Sequence, residues 1–203
     1  MSITTYDELK TAVASWLNRD DLADRIPDFI ELGEDRIGHE LRIPTLEKSA
    51  LLSANTSGYA NLPADFLELK DVFWNYKPLY RVSLTQLHSY TNEVNEPTYF
   101  ARETYQLRLF PVPNAATSTS LRLIYYHKPT QLGPSNSTNL ILQTAPALLL
   151  YASLCEAAQY LAFSPQQMAS YEQRYAVGLA RLLKHASDAE SAGATPTVAN
   201  GYG

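Results

Sequence analysis

The sequence predicts an α+β protein: a helical bundle from the N- and C-terminal segments, 1–43 and 140–191, with a central antiparallel β-rich insert, 44–139, and a flexible tail, 192–203. Two observations carry this expectation. Apolar residues recur at three- and four-residue steps towards both ends of the chain, and short runs rich in Val, Leu, Tyr and Phe, separated by turn residues, fill the middle. With 45 % hydrophobic and 18 % charged residues among 203, the composition is that of a chain that folds.

The first helix is expected over about Tyr6 to Leu17, where Leu9, Val13, Trp16 and Leu17 follow a Thr5-x-x-Glu8 capping box. Asn18-Arg19-Asp20-Asp21 breaks the pattern. Ile26, Ile30, Gly33, Ile37 and Leu41 resume it, so a second helix should run from about Pro27 to Leu41, with proline suited to its first turn. Gly33 and Gly38 inside that helix each cost about 1 kcal/mol relative to alanine, which implies close packing there, either within the chain or against a neighbouring subunit.

Strands are expected at Leu46 to Leu52, Tyr59 to Leu62, Leu67 to Asn75, Lys77 to Val82, Thr98 to Glu103, Gln106 to Phe110 and Ser120 to Lys128. Alternation with period two is plainest in Gln106-Leu107-Arg108-Leu109 and Leu121-Arg122-Leu123-Ile124. A short helix, Leu84 to Tyr90, interrupts them behind Ser83. Pro111 to Ser120 and Thr130 to Asn139 read as loops on the exposed rim of the β-structure. Pro146 then opens a helix apolar on nearly every side, and after the Ser164-Pro165 corner Met168, Tyr171, Tyr175, Leu179, Leu182 and Ala186 mark one face of a last helix.

Sixteen basic against 21 acidic residues give a net charge of -5, which argues against a surface made to grip phosphate backbones. The N-terminus lacks the basic and apolar regions of a signal peptide, and no apolar run approaches the length of a membrane span, so neither export nor membrane insertion is expected. Cys155 stands alone, which precludes an intrachain disulfide and suits a reducing cytosol. The sequons at Asn55 and Asn136 then read as polar turns.

Chemical motifs are absent. His39, His88, His127 and His185 are scattered without metal-ligand spacing, and no nucleophile elbow, P-loop or dinucleotide turn occurs. The run Asp20, Asp21, Asp24, Asp28 lacks the alternate ligands and glycine of a calcium loop and reads as a solvated interhelical turn. No catalytic residue, metal or cofactor is therefore assigned. The aromatic stretch Phe73 to Arg81 could pack strands, meet another subunit or offer a ligand platform.

Several phrases in order resemble one family. Tyr6-Asp7-Glu8-Leu9-Lys10, Trp16-Leu17-Asn18-Arg19, Ile26-Pro27-Asp28-Phe29-Ile30-Glu31-Leu32 and Arg36-Ile37 with Glu40-Leu41-Arg42 are similar to the start of tailed-phage head-to-tail adaptors (connector or neck proteins). Leu62-Pro63-Ala64-Asp65-Phe66-Leu67-Glu68, Leu107-Arg108-Leu109-Phe110-Pro111-Val112-Pro113 and Leu123-Ile124-Tyr125-Tyr126 continue it, so the resemblance covers about Thr5 to Ala186. It implies a non-catalytic virion protein, assembled in the host cytoplasm, with about twelve copies in a ring beneath the portal and the tail tube or nozzle protein on the other side. It also implies a C-terminal segment that reaches the portal, for which Pro196, Val198 and Tyr202 are the candidate contacts. Genomic DNA would pass through the channel without specific binding, since twelve copies at -5 carry about -60. Two other readings stand beside it: a carbohydrate- or ligand-binding module of a fibre or baseplate, and a hydrolase using Asp65 and Glu68.

Overall fold

The computed structural model describes residues 3–91, 93–113 and 121–191, with side chains to 188. It is a mixed α+β protein that divides into two compact units, one running to Thr45 and resuming at Pro129, the other spanning Leu46–Lys128.

In the helical unit, α1 (Tyr6–Leu17) starts where the sequence places it. Thr5 Oγ1 accepts from Glu8 N at 3.3 Å and Glu8 Oε2 accepts from Thr5 N at 3.1 Å, so two amides that the helix cannot satisfy find side-chain partners. Asn18, at φ 50°, closes the helix in the left-handed region that a short polar side chain tolerates. α2 (Ile26–Glu40) carries Pro27 in its first turn. α4 (Leu140–Thr144), capped by Asn139, and α5 (Pro146–Tyr160) follow, and α6 (Pro165–Ser191) is the longest helix described.

The helix α5 is the centre of this unit and lies against α1, α2, α4 and α6. Its near-continuous apolar sequence is explained by that position, since most of its surface meets protein and only Ala147, Gln159 and Tyr160 are exposed. Gly33 accounts for the approach of α2, because a Cβ there would stand 2.9 Å from Ser153 N and 3.2 Å from the Ala152 carbonyl carbon. Gly38 does not share this role: nothing lies within 4 Å of the position its Cβ would take.

In the β unit, two four-stranded sheets enclose one core. The first has the order β1 (Glu47–Leu52), β8 (Leu121–His127), β3 (Phe66–Trp74), β4 (Lys77–Pro78); the second has β2 (Tyr59–Asn61), β7 (Gln106–Phe110), β6 (Tyr99–Glu103), β5 (Tyr80–Arg81). Strand β1 pairs with β8 so that Glu47 faces Tyr126 and Leu52 faces Leu121. Period two decides the packing: Leu107 and Leu109 of β7 and Leu121, Leu123 and Tyr125 of β8 all point into the core.

Three expectations change. The strand expected at Lys77 to Val82 is two short strands in different sheets, because Pro78 has no amide with which to continue the ladder and Leu79 turns inward. The insert is not wholly antiparallel, since β5 and β6 run parallel, joined by α3 (Leu84–Ser89) as crossover. The loop expected on the rim of the β-structure, Thr130 to Asn139, belongs with the helices, and the β unit ends at Lys128, not at 139. Its hydrogen bonds explain this: Tyr6 N donates to Ser137 O at 2.7 Å, Leu132 N to Glu34 at 3.1 Å, and Asn139 Nδ2 to Glu34 Oε1 at 2.6 Å.

Candidate interaction surfaces

The polar clusters of the helical unit serve its own packing. Arg36 of α2 forms a bidentate pair with Glu172 of α6 at 2.9 and 2.6 Å, lies 4.3 Å over the Tyr175 ring, and has Glu156 and Glu40 at 3.7 and 3.8 Å. Its guanidinium holds the Glu172 carboxyl below the ordinary glutamate range, against a weaker upward push from burial. Tyr175 donates to Glu40 Oε2 at 2.7 Å, and burial first and that bond second raise its hydroxyl pKa. Cys155 sits beside Glu172, where burial pushes its thiol up to about 12, so the group is an inert core side chain at neutral pH. Burial raises the Glu34 carboxyl as well, partly offset by the Leu132 and Asn139 donors.

In the β unit, Asp65 is also structural. Both of its carboxylate oxygens are engaged, Oδ2 by Lys48 Nζ at 2.7 Å and Oδ1 by the Tyr125 hydroxyl at 2.9 Å, which ties β1 to β8 ahead of β3. Burial pushes its pKa up, but these donors together hold it below the ordinary aspartate range, while Tyr125, buried and bonded to Asp65, rises to about 12. The histidines stay apart, with His127 Nδ1 2.8 Å from Leu46 O and His88 beside Arg108, and no group of three His, Cys, Asp or Glu able to hold a metal occurs among the described residues. No described helix is long and apolar enough to cross a membrane.

What remains are surfaces. The aromatic stretch Phe73 to Arg81 is divided by the turn that ends β3: Trp74 is 5 % exposed and belongs to the core, while Tyr76, in a tight turn with Asn75 and itself at positive φ, is 92 % exposed. Phe73, Tyr76, Leu51 and Ile124 give an apolar lining to a groove of about 710 Å³ across the first sheet, with Arg122 and Ser49 beside them. Arg122 Nε donates to Ser49 Oγ at 2.9 Å, which fixes the polar edge of the groove.

The helical unit has a second surface that the sequence did not single out. Trp16 reads as a core position by its spacing, yet it is 45 % exposed. Its ring meets Tyr151 of α5 edge-on at 5.6 Å, and the Arg174 guanidinium of α6 covers both rings at 5.9 and 5.6 Å and donates to the Tyr151 hydroxyl at 3.0 Å. Grooves of about 810 and 320 Å³ flank this trio, the first along α1 and α4, the second along α6. The signal available in the sequence was a tryptophan at the last turn of an amphipathic helix beside polar Ser15 and Asn18. Pro196, Val198 and Tyr202, the residues assigned to portal contact, lie outside the described residues.

A family model described as SU10 adaptor protein matches residues 4–199, which takes in the described residues of both units almost entirely. Comparison with curated proteins gives no match.

Proposed function

This chain belongs to the SU10 adaptor protein family, so it is a phage adaptor protein and a structural component of the virion, and from that premise we propose that about twelve copies form a ring joining portal to tail. In this reading the ring lines the DNA channel, the tail tube or nozzle protein binds its far side, and the segment 192–203 docks on the portal through Pro196, Val198 and Tyr202. The observation that carries it is the extent of the family match, which includes the helices, both sheets and part of that segment. The net charge suits the role, because twelve copies at -5 carry about -60 and a lumen sharing that sign would repel DNA and let it slide.

The measurement that tests it is mass in solution, alone and with the portal protein of the same phage. A ring that appears with portal is expected; a chain that remains monomeric beside portal overturns the reading. Deleting 192–203 should abolish portal binding with the circular dichroism and melting curve unchanged, and a truncated protein that joins portals at the original affinity rejects the tail assignment. The carbohydrate reading draws on exposed Tyr76, but buried Trp74 cannot stack on a sugar. A glycan titration that quenches fluorescence in the β unit would restore it.

A further inference from the structure

We infer that the Trp16–Tyr151–Arg174 face of the helical unit is a docking surface for a second copy of this chain, and that its occupant is the outer face of the neighbour's α2. The inference rests on the ring reading above and specifies the contact that closes it.

The docking face has the composition of an interface centre. A partly exposed tryptophan, a tyrosine and an arginine meet across α1, α5 and α6, residue types that dominate binding energy where protein surfaces join. Along α6 the exposed positions Arg174, Val177, Arg181 and Lys184 fall at steps of three, four and three, so they form one stripe beside the grooves. Val177 is 44 % exposed, and no ion pair to Arg174, Arg181 or Lys184 is found among the described residues. The face is therefore apolar at its centre and positive along α6.

The other side of the same unit is its complement. Asp28, Glu31, Leu32 and Asp35 occupy one face of α2, turned away from the buried Ile30, Gly33 and Ile37, with Asp24 just ahead in the same line. Leu32 is 51 % exposed at the centre of these carboxylates. Two of the carboxylates have long contacts here, Arg25 reaching Asp28 at 3.5 Å and Gln131 reaching Glu31 at 3.4 Å, while Asp35 is engaged by a partner of its own. One face offers cations around a cleft, and the other offers carboxylates around a leucine.

The placement of the two faces decides the symmetry. On α5, Gly33 of α2 packs at Ala152 and Ser153, roughly 100° and 200° round the helix from Tyr151 at 3.6 residues per turn, so the middle of that contact stands about 150° from Tyr151. The acidic outer face of α2 and the aromatic face thus lie on opposite sides of α5. A contact between unlike faces on opposite sides is heterologous, and repeating it generates a closed ring or a filament, not a two-fold dimer. Leu32 of one copy would enter the groove along α6 lined by Tyr151 and Val177 of the next, with Asp28, Glu31 and Asp35 opposite Arg174, Arg181 and Lys184.

Charge exchange in the full chain tests this. Arg174→Glu with Arg181→Glu, and separately Asp28→Lys with Glu31→Lys, should each weaken ring formation about tenfold or more, the scale expected for reversed interfacial charges. Circular dichroism confirms that each variant is folded. An equimolar mixture should recover rings, because every junction of an alternating ring then pairs unlike charges. As a second measurement, Leu32→Cys combined with Val177→Cys should give a ladder of disulfide-linked species on oxidation, and neither single variant should. Cys155, buried and protonated, stays silent. Folded variants that assemble like the wild type, or a mixture that recovers nothing, overturn the inference while leaving the ring reading intact. A wild-type chain that forms no ring with portal overturns both.

Discussion

Two glycines of one helix show how a single position draws its value from what surrounds it. Gly33→Ala would press a methyl group against the α5 backbone at 2.9 Å, so we expect a loss of about 1–3 kcal/mol, the usual cost of overpacking a fixed neighbour. Gly38→Ala meets open space and should stabilise by up to about 1 kcal/mol through helix propensity. Thermal melts of the two variants should shift in opposite directions. Arg36 provides a pH-dependent case. Because its partner Glu172 is held below the ordinary range, the pair contributes stability above about pH 4.3, the unfolded glutamate value, and loses it as pH falls through the lower folded value. Arg36→Met should therefore cost about 1 kcal/mol near neutrality, discounted for a Glu172 side chain 42 % exposed, and flatten the acid limb of the stability curve. Denaturant midpoints from pH 3 to 7 would measure this. The sequence signalled that Gly33 packs closely but not against what, and it put Gly38 in the same class, since two glycines in a helix look alike until their neighbours are known.

At the scale of elements, helix positions were legible and their depth was not. The Thr5-x-x-Glu8 box and the prolines at 27, 146 and 165 mark helix starts to within a residue, because the backbone groups they satisfy are local. The predicted face of α6 keeps its period, yet of its six residues only Tyr175 is fully buried; the rest are half-buried. Periodicity reports that a face exists, and what covers it is a matter of neighbours. The same limit hid α4, a single turn between Asn139 and Pro146 too short to show a period. Asn139 holds that turn by accepting from Leu142 N at 3.0 Å while donating to buried Glu34. Asn139→Ala removes both the cap and a partner of that carboxylate, and should cost about 2 kcal/mol in chemical unfolding, against roughly 1 for an ordinary cap. Pro78 marks the split of β4 from β5, but the sheet change needs the carbonyls of Val72 and Phe100, which accept from Leu79 N and Val82 N and which no local pattern encodes.

The whole molecule is two units with separate cores, and the order of phrases in the chain told more about its role than any single residue did. Adaptor membership was readable because the resemblance depends on sequence order, which survives when individual phrases are commonplace. The Trp16–Tyr151–Arg174 surface was not readable, since it gathers residues from 16 to 174 that only the folded chain brings together. The β unit is one uninterrupted segment with its own core, so residues 46–128 expressed alone should unfold cooperatively with two-sheet circular dichroism. A featureless, non-cooperative melt would show that it needs the helices. Its opening and closing strands lie side by side, Glu47 opposite Tyr126, about 5 Å apart as antiparallel neighbours are. Entry and exit at one doorway make the segment a cassette: it can be exchanged whole while the helical chassis goes on unaltered.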